Sequence, residues 1–183
     1  MVKRVITPEE ILKGKKVSLR LVTLRDCTET YVSWLKDPLV NQYLETRWTP
    51  QTMDTVRHFV TSIQESTHSY LFGIIEAASS SHMGNIKIGP IHPHHQNADI
   101  SFFIGEKSAW GKGYATEAIQ LVRDFAAERL KLHRVQAGLY ASNKGSARSL
   151  EKAGFHLEGR LVQYHISGQQ WEDRLLYSCL LSK

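Results

Sequence analysis

Cysteine is scarce in this chain. Cys27 and Cys179 stand far apart and form no C-x-x-C pair, which argues against a disulfide framework and makes a reducing cytoplasm the expected setting. Long apolar runs are missing too: none approaches the roughly 18–20 residues of a membrane span. The opening "MVKRVITPEE" carries two basic residues but no apolar stretch, so it does not read as a secretory signal. Charge of one sign is not concentrated. Lys and Arg number 23 against 18 Asp and Glu, a surplus of +5, with no basic run like those of nucleic-acid-binding tails. A surplus that mild suits an anionic small ligand, or is a surface property with no partner attached. There is no internal repeat, low-complexity tract or linker, so a single domain over 1–183 is expected, long enough to bury a core unaided.

What is present is a mixture of two periodicities. "KKVSLRLVT" (15–23) alternates Val17, Leu19 and Leu21 with polar neighbours, as a half-buried strand does. "SYLFGIIEAA" (69–78), "MGNIKIGPI" (83–91) and "ADISFFIG" (98–105) follow one another across connections too short for crossovers, which predicts an antiparallel meander. "HRVQAGLY" (133–140) reads as a further strand, and "FHLEGRLVQYHI", "SGQQ" and "WEDRLLYSCLL" as a closing hairpin. Helices are expected at "TPEEILKG", closed by Gly14, and at "LRDCTETYVSWLKDP" (24–38), stopped by Pro38. "PLVNQYLET" reads as a short helix, and "TPQTMDTVRHFVTSIQES" as one with Thr49 as N-cap and Pro50 at the first position. In "YATEAIQLVRDFAAERLK", Ala115, Ala118, Ile119, Val122, Phe125, Ala126 and Leu130 share one helical stripe. "NKGSARSLEKAG" (143–154) is a helix ended by Gly154. The expected class is α/β, a mixed sheet whose faces need helical cover.

The stretch "SAWGKGYATEA" (108–118) stands between a strand and the long helix. It is not a Walker loop: five residues separate Gly105 from Gly111, and Gly113 replaces the Ser or Thr after Lys112. It is not a Rossmann fingerprint, because no third glycine follows Gly113 at the right offset. Two readings remain. The glycines let an anion reach the unpaired N–H groups of the helix start, flanked by Lys107 and Lys112, or they simply make a tight turn.

The order "GNIKIGPI", "ADISFFIG", "WGKGYATEA" and "NKGSARSLEKAGF" resembles the GNAT N-acetyltransferases, nearest the branch of ribosomal-protein N-terminal acetyltransferases and related amino-sugar acetyltransferases. The resemblance covers about residues 16–181. It implies a mostly antiparallel sheet with a V-shaped splay between strands 98–105 and 134–140, and acetyl-CoA as acetyl donor; no metal is expected. The implied pyrophosphate cradle is the backbone from Trp110 through Gly111, Lys112, Gly113, Tyr114 and Ala115 to Thr116, with Ser108 where many members carry Arg or Gln. Backbone N–H groups near Phe103 and Ile104 would polarise the thioester carbonyl as an oxyanion hole does. Asn143 matches the asparagine that contacts the cofactor, and Ser146 the serine near the thioester sulfur, a candidate acid for the departing thiolate; both residue types also suit a helix start. Arg148 and Lys152 would meet the adenosine phosphates, or are solvated charges.

Amine attack on a thioester needs a base, directly or through water, and no covalent intermediate, so both cysteines read as structural thiols. Asp99 is a candidate base or a strand-end carboxylate, and Tyr140 a further candidate acid. The resemblance makes "NQYLETRW" part of the acceptor pocket, which implies that Glu45 and Arg47 recognise the acceptor. "HPHH" (92–95) matches no metal-ligand spacing and falls on a turn, where His92 or His94 would touch substrate. The expected acceptor is a small amine such as a nucleotide-linked amino sugar, with a protein N-terminus as the alternative. A binding module that keeps the cradle without turnover is a third reading. No nucleic acid or membrane partner is expected, and monomer and homodimer both stay open.

Overall fold

A computed structural model describes residues 5–181. Eight strands form one sheet: β1 (Ile11–Lys13), β2 (Val17–Leu21), β3 (Tyr70–Glu76), β4 (His82–His92), β5 (Asn97–Ile104), β6 (Arg134–Tyr140), β7 (His156–Ser167) and β8 (Gln170–Leu180). Their spatial order is β1-β2-β3-β4-β5-β6-β8-β7. Every neighbouring pair is antiparallel except β5 and β6. That parallel pair is the feature on which the molecule turns. Its register holds over only three residues, from Asn97 opposite Arg134 to Asp99 opposite Gln136. Beyond Asp99 the two strands part, and the expected V-shaped splay opens between them.

Five helices cover the sheet: α1 (Glu29–Lys36), α2 (Pro38–Asn41), α3 (Met53–Glu65), α4 (Tyr114–Glu128) and α5 (Lys144–Lys152). Along β2 the buried residues are Val17, Leu19 and Leu21, every second position, and they join Phe72, Ile86, Ile100 and Val135 in the main core. The helical stripe Ala118, Ile119, Val122, Phe125 and Ala126 of α4 packs into it, with Phe125 nearly perpendicular to Phe72 at 5.4 Å. A second core gathers Tyr31, Trp34, Val56 and Val60 of α1 and α3 against Leu71 and Phe103. No helix among the described residues is long and apolar enough to cross a membrane.

The start of α4 is fastened from outside the helix. The Glu117 carboxylate accepts hydrogen bonds from the backbone N–H groups of Lys15, Lys16 and Val17 at 2.9, 2.7 and 2.7 Å. Burial works to raise its pKa, but these three donors outweigh burial and hold the carboxyl below its ordinary value. The turn between β1 and β2 is thereby locked to the helix that follows the glycines.

Several local expectations are corrected. "TPEEILKG" is not a helix: Ile11–Lys13 is a short edge strand paired with Ser18–Arg20, and the N–H of Gly14 closes the hairpin on the Val17 carbonyl at 2.9 Å. Pairing with β2 satisfies backbone groups that so short a helix would leave open. Residues 24–38 do not form one helix. Leu24–Asp26 is a single 3-10 turn, and α1 starts after Thr28, whose hydroxyl accepts from the Tyr31 N–H at 3.2 Å. The predicted cap at Thr49 is displaced to Thr52, which shares a reciprocal capping box with Thr55, so Pro50 lies before the helix. "PLVNQYLET" is helical only over Pro38–Asn41; a separate 3-10 turn, Glu45–Trp48, follows.

Candidate active site

The splay is the mouth of a cavity of about 690 Å³. Ile100 to Ile104 line one arm and Ala137 to Tyr140 the other. Gly111 and Gly113 to Thr116 lie at one end, and Asn143, Ser146, Arg148 and Lys152 border the same space. Trp110 also lines it, and its indole N–H donates to the Ile104 carbonyl at 2.9 Å. The expected cradle, the two strand arms and the start of α5 are thus brought to one cavity.

Backbone geometry explains the glycines. Gly111 and Gly113 have φ of +75° and +85°, a region that disfavours residues with a Cβ, and Gly113 is the N-cap of α4. A Cβ on Gly111 would meet no protein atom within 4 Å. The space beside it is open, and the unpaired N–H groups of the first turn lie next to it, a setting that suits a phosphate. Lys16 adds a neighbour the sequence did not suggest: its ammonium donates to the Lys112 carbonyl at 2.8 Å. Of the lysines expected to flank the loop, Lys107 is ion-paired with Asp37, and Lys112 is not part of the cavity wall. Tyr114 lines the cavity while its hydroxyl donates to Glu76.

The two expected donors on β5 separate. The Phe103 carbonyl is turned towards Gly84 on β4, where a Cβ would approach it to 2.2 Å, so by the alternation of an antiparallel ladder its N–H points the same way. Ile104, whose carbonyl takes the Trp110 indole, faces the other direction. Of the two, it is the Ile104 N–H that is directed into the splay.

Asn143 caps α5, its side-chain oxygen accepting from the Ser146 N–H at 3.1 Å. Tyr140 closes the β6 arm and is buried. Its hydroxyl donates to Glu45 Oε1 at 2.8 Å and accepts from Arg47 Nη2 at 3.0 Å. Arg47 Nη2 also donates to the Ile166 carbonyl at 3.0 Å, so the 3-10 turn bridges from the helical side to β7. Burial first, and the Glu45 carboxylate second, push the Tyr140 phenol up to about 12, so it stays protonated near neutral pH.

Asp99 sits where the splay begins, outside the cavity wall, with its carboxylate accepting from Gln136 Nε2 at 2.9 Å. His92 closes β4 opposite Asn97 and is likewise outside the wall, as are Glu45 and Arg47, which reach it only through Tyr140.

Two residues on the closing hairpin were not anticipated. The His165 ring stacks on Tyr140 at 3.8 Å and 13°, and burial holds its pKa below the ordinary imidazole value, against the pull of Glu45. Arg174, opposite Tyr140 in the β6–β8 register, lies over Gly138, where a Cβ would come within 2.3 Å of its Nε. The sequence signal was faint: a glycine inside a strand marks close approach, but nothing names what approaches.

The Acetyltransferase (GNAT) domain model matches residues 16–156. The chain belongs to the GNAT acetyltransferase family. A probable N-acetyltransferase, YjcK of Bacillus subtilis, is 34% identical over 176 residues, covering 93% of this chain and 97% of that protein. Among solved structures, the ribosomal L7/L12 α-N-protein acetyltransferase RimL in complex with coenzyme A superposes with a TM-score of 0.84 at 18% identity, covering 94% of this chain and 98% of that one. The Vibrio cholerae spermidine N-acetyltransferase in complex with CoA and spermine gives 0.80 at 19%, covering 91% and 96%. At those identities the two structures establish the GNAT fold. The family match and the 34% identical relative make the protein an N-acetyltransferase, built on an α/β sheet with one parallel pair.

Proposed function

We propose that this GNAT protein transfers an acetyl group from acetyl-CoA to a primary amine in the splay between β5 and β6. The observation that carries this reading is one cavity lined both by the Gly111–Gly113 start of α4 and by the buried phenol of Tyr140. The group fits the residues present: the space where a Cβ of Gly111 would sit is open, and phosphate at a helix start is a recurrent arrangement. The backbone from Gly111 to Thr116 would hold the pyrophosphate, with Asn143, Arg148 and Lys152 along the same wall and Trp110 at its edge. When bound, acetyl-CoA supplies a thioester whose carbonyl carbon an amine can attack.

The remaining work falls to the chain. The Ile104 N–H stabilises negative charge on an oxygen placed in the splay. Tyr140 holds a proton at its hydroxyl and can release it, with Arg47 steadying the phenolate that results and Glu45 available to return a proton. Ser146, on the same wall, is the second candidate donor. Asp99 is tied to Gln136 at the apex, so a base role for it requires an intervening water. Glu45, 68% exposed, can draw an acceptor amine towards the site and take its proton.

The acceptor is a small amine or a protein N-terminus. The amino-sugar acceptor expected from sequence has no counterpart in the names of the three relatives above. The experiment is release of free thiol from acetyl-CoA across small amines, amino sugars, polyamines and peptides. Release dependent on one acceptor class supports transfer. Tight CoA binding with no release across the panel would favour a binding module.

A further inference from the structure

We propose that the acceptor carries an anionic oxygen group, a carboxylate or a phosphate, which Arg174, Arg47 and His165 bind beside Tyr140. This rests on the acetyl-transfer reading and names the acceptor class for the same site.

Three buried nitrogens find no hydrogen-bond partner among the described residues around this phenol: Arg47 Nε, His165 Nε2 and Arg174 Nε. A buried polar atom without a partner is costly, so two arginine donors and an imidazole nitrogen left unmet in one place point to a group that arrives from outside. They belong to one cluster. Arg47 lies over the Tyr140 ring at 4.9 Å, and His165 stacks on that ring at 3.8 Å. Arg174 lies over Tyr164 at 5.0 Å, whose ring meets His165 edge-on at 4.9 Å. Gly138 joins the cluster to the cavity: it lines the wall, and its lack of a side chain lets the Arg174 guanidinium come across β6.

The acids facing this group do not fill it. Glu45 accepts from Tyr140 and stands 3.9 Å from His165 Nδ1, on the side away from Nε2. Glu172 accepts from Ser142 at 3.1 Å. The Nε–H groups left over on the two guanidinium groups suit the oxygens of a carboxylate or a phosphate. They repel a polycation. Glu45, an exposed carboxylate, is left for the amine, so the site offers opposite charges to the two ends of an amino acid, an acidic N-terminal residue or an amino sugar phosphate.

The test reads binding as well as turnover. The ring protons of His165, identified by their loss in His165→Gln, are followed by NMR with CoA present. Three probes are added separately: N-acetylglycinate, methyl phosphate and neutral N-methylacetamide. At least one anion is expected to shift the His165 signals and raise its apparent pKa, while N-methylacetamide leaves them in place. The tighter anion identifies carboxylate or phosphate. Arg174→Gln is expected to weaken that binding roughly tenfold, with Arg174→Lys intermediate because it keeps charge but loses the fork; thermal melting confirms that each variant is folded. No shift by either anion at millimolar concentration overturns the proposal. So does an equal response to the neutral probe, or a response unchanged in Arg174→Gln. Thiol release with glycine against glycinamide, and with glucosamine 6-phosphate against glucosamine, is measured alongside. Anion binding without thiol release from any acceptor would defeat the transfer reading alone; release favouring the neutral partner or spermine would defeat the anion subsite alone.

Discussion

The two ends of the cavity are built from different materials. The Gly111–Thr116 end consists of backbone: glycines with positive φ, the first turn of α4 and a carbonyl fastened by Lys16. At the Tyr140 end the cavity is backed by a cluster of side chains from the 3-10 turn, β6, β7 and β8, of which Tyr140 itself lines the cavity. Its hydrogen bonds join residues 93, 95 and 119 positions apart. A backbone cradle is fixed by local conformation and accepts any phosphate chain of the right shape. A side-chain cluster depends on the whole fold and can be changed residue by residue. Such a division lets one fold keep its donor while its acceptors diverge.

The largest expected effect breaks the backbone end. Gly111→Val places a β-branched side chain at φ +75°, costing about 1–2 kcal/mol of strain, and directs it into space where no protein atom lies within 4 Å. The domain should stay folded while CoA affinity drops on the order of 30–100-fold, or ~2–3 kcal/mol. Calorimetric titration with CoA, beside a thermal melt, decides it. Unchanged affinity in a folded variant would remove the pyrophosphate from this loop.

Tyr140→Phe, at the other end, should do the reverse. It removes the hydroxyl between Glu45 and Arg47 and leaves the ring against His165. Turnover is expected to fall about 30-fold, within the reach of general acid–base catalysis, while the CoA titration stays as it was. The matching change at Ser146, to Ala, distinguishes the two proton donors: the greater fall in turnover marks the acid. If Tyr140→Phe weakens CoA binding but not turnover, the contrast between the two ends is wrong.

That contrast also explains what could be read from the sequence. Gly111, Gly113 and Asn143 announce themselves locally, because a turn, a helix start and a cap each demand particular residue types within a few positions. The meander and the α4 stripe were legible for the same reason, through their periods of two and 3.6. Glu45 and Arg47 came only through the family resemblance, Tyr140 only from its place at the end of a strand, and nothing local marked their mutual contact. His165 and Arg174 were missed: a hairpin pattern specifies alternation but not which face meets the splay. The register shift between Leu161 and His165 further re-aims β7. Ile11–Lys13 was misread because a three-residue edge strand is too short to show a period and is defined by its partner β2.

The smallest expected effect concerns what backs the β5 arm. His82 is packed edge-on against Trp34 at 5.2 Å, and its Nε2 lies 2.9 Å from both the Gly84 carbonyl and Asn85 Oδ1. Burial lowers its pKa, and the Asn85 hydrogen bond only partly opposes this. The unfolded chain, with a histidine pKa of about 6.5, therefore takes up this proton before the native state does. The resulting stabilisation is fully present above that pH and is lost as pH falls through the lower folded value. His82→Gln should flatten the pH dependence of stability in that window and leave the slope above pH ~7 unchanged, as read by urea melts across the range. An identical slope in the variant would show that His82 does not resist protonation. A flattened slope together with weaker CoA binding at mild acidity would show that the backbone end, too, leans on a side chain, since His82, Trp34 and Phe103 lie together behind the strand that carries the Ile104 N–H.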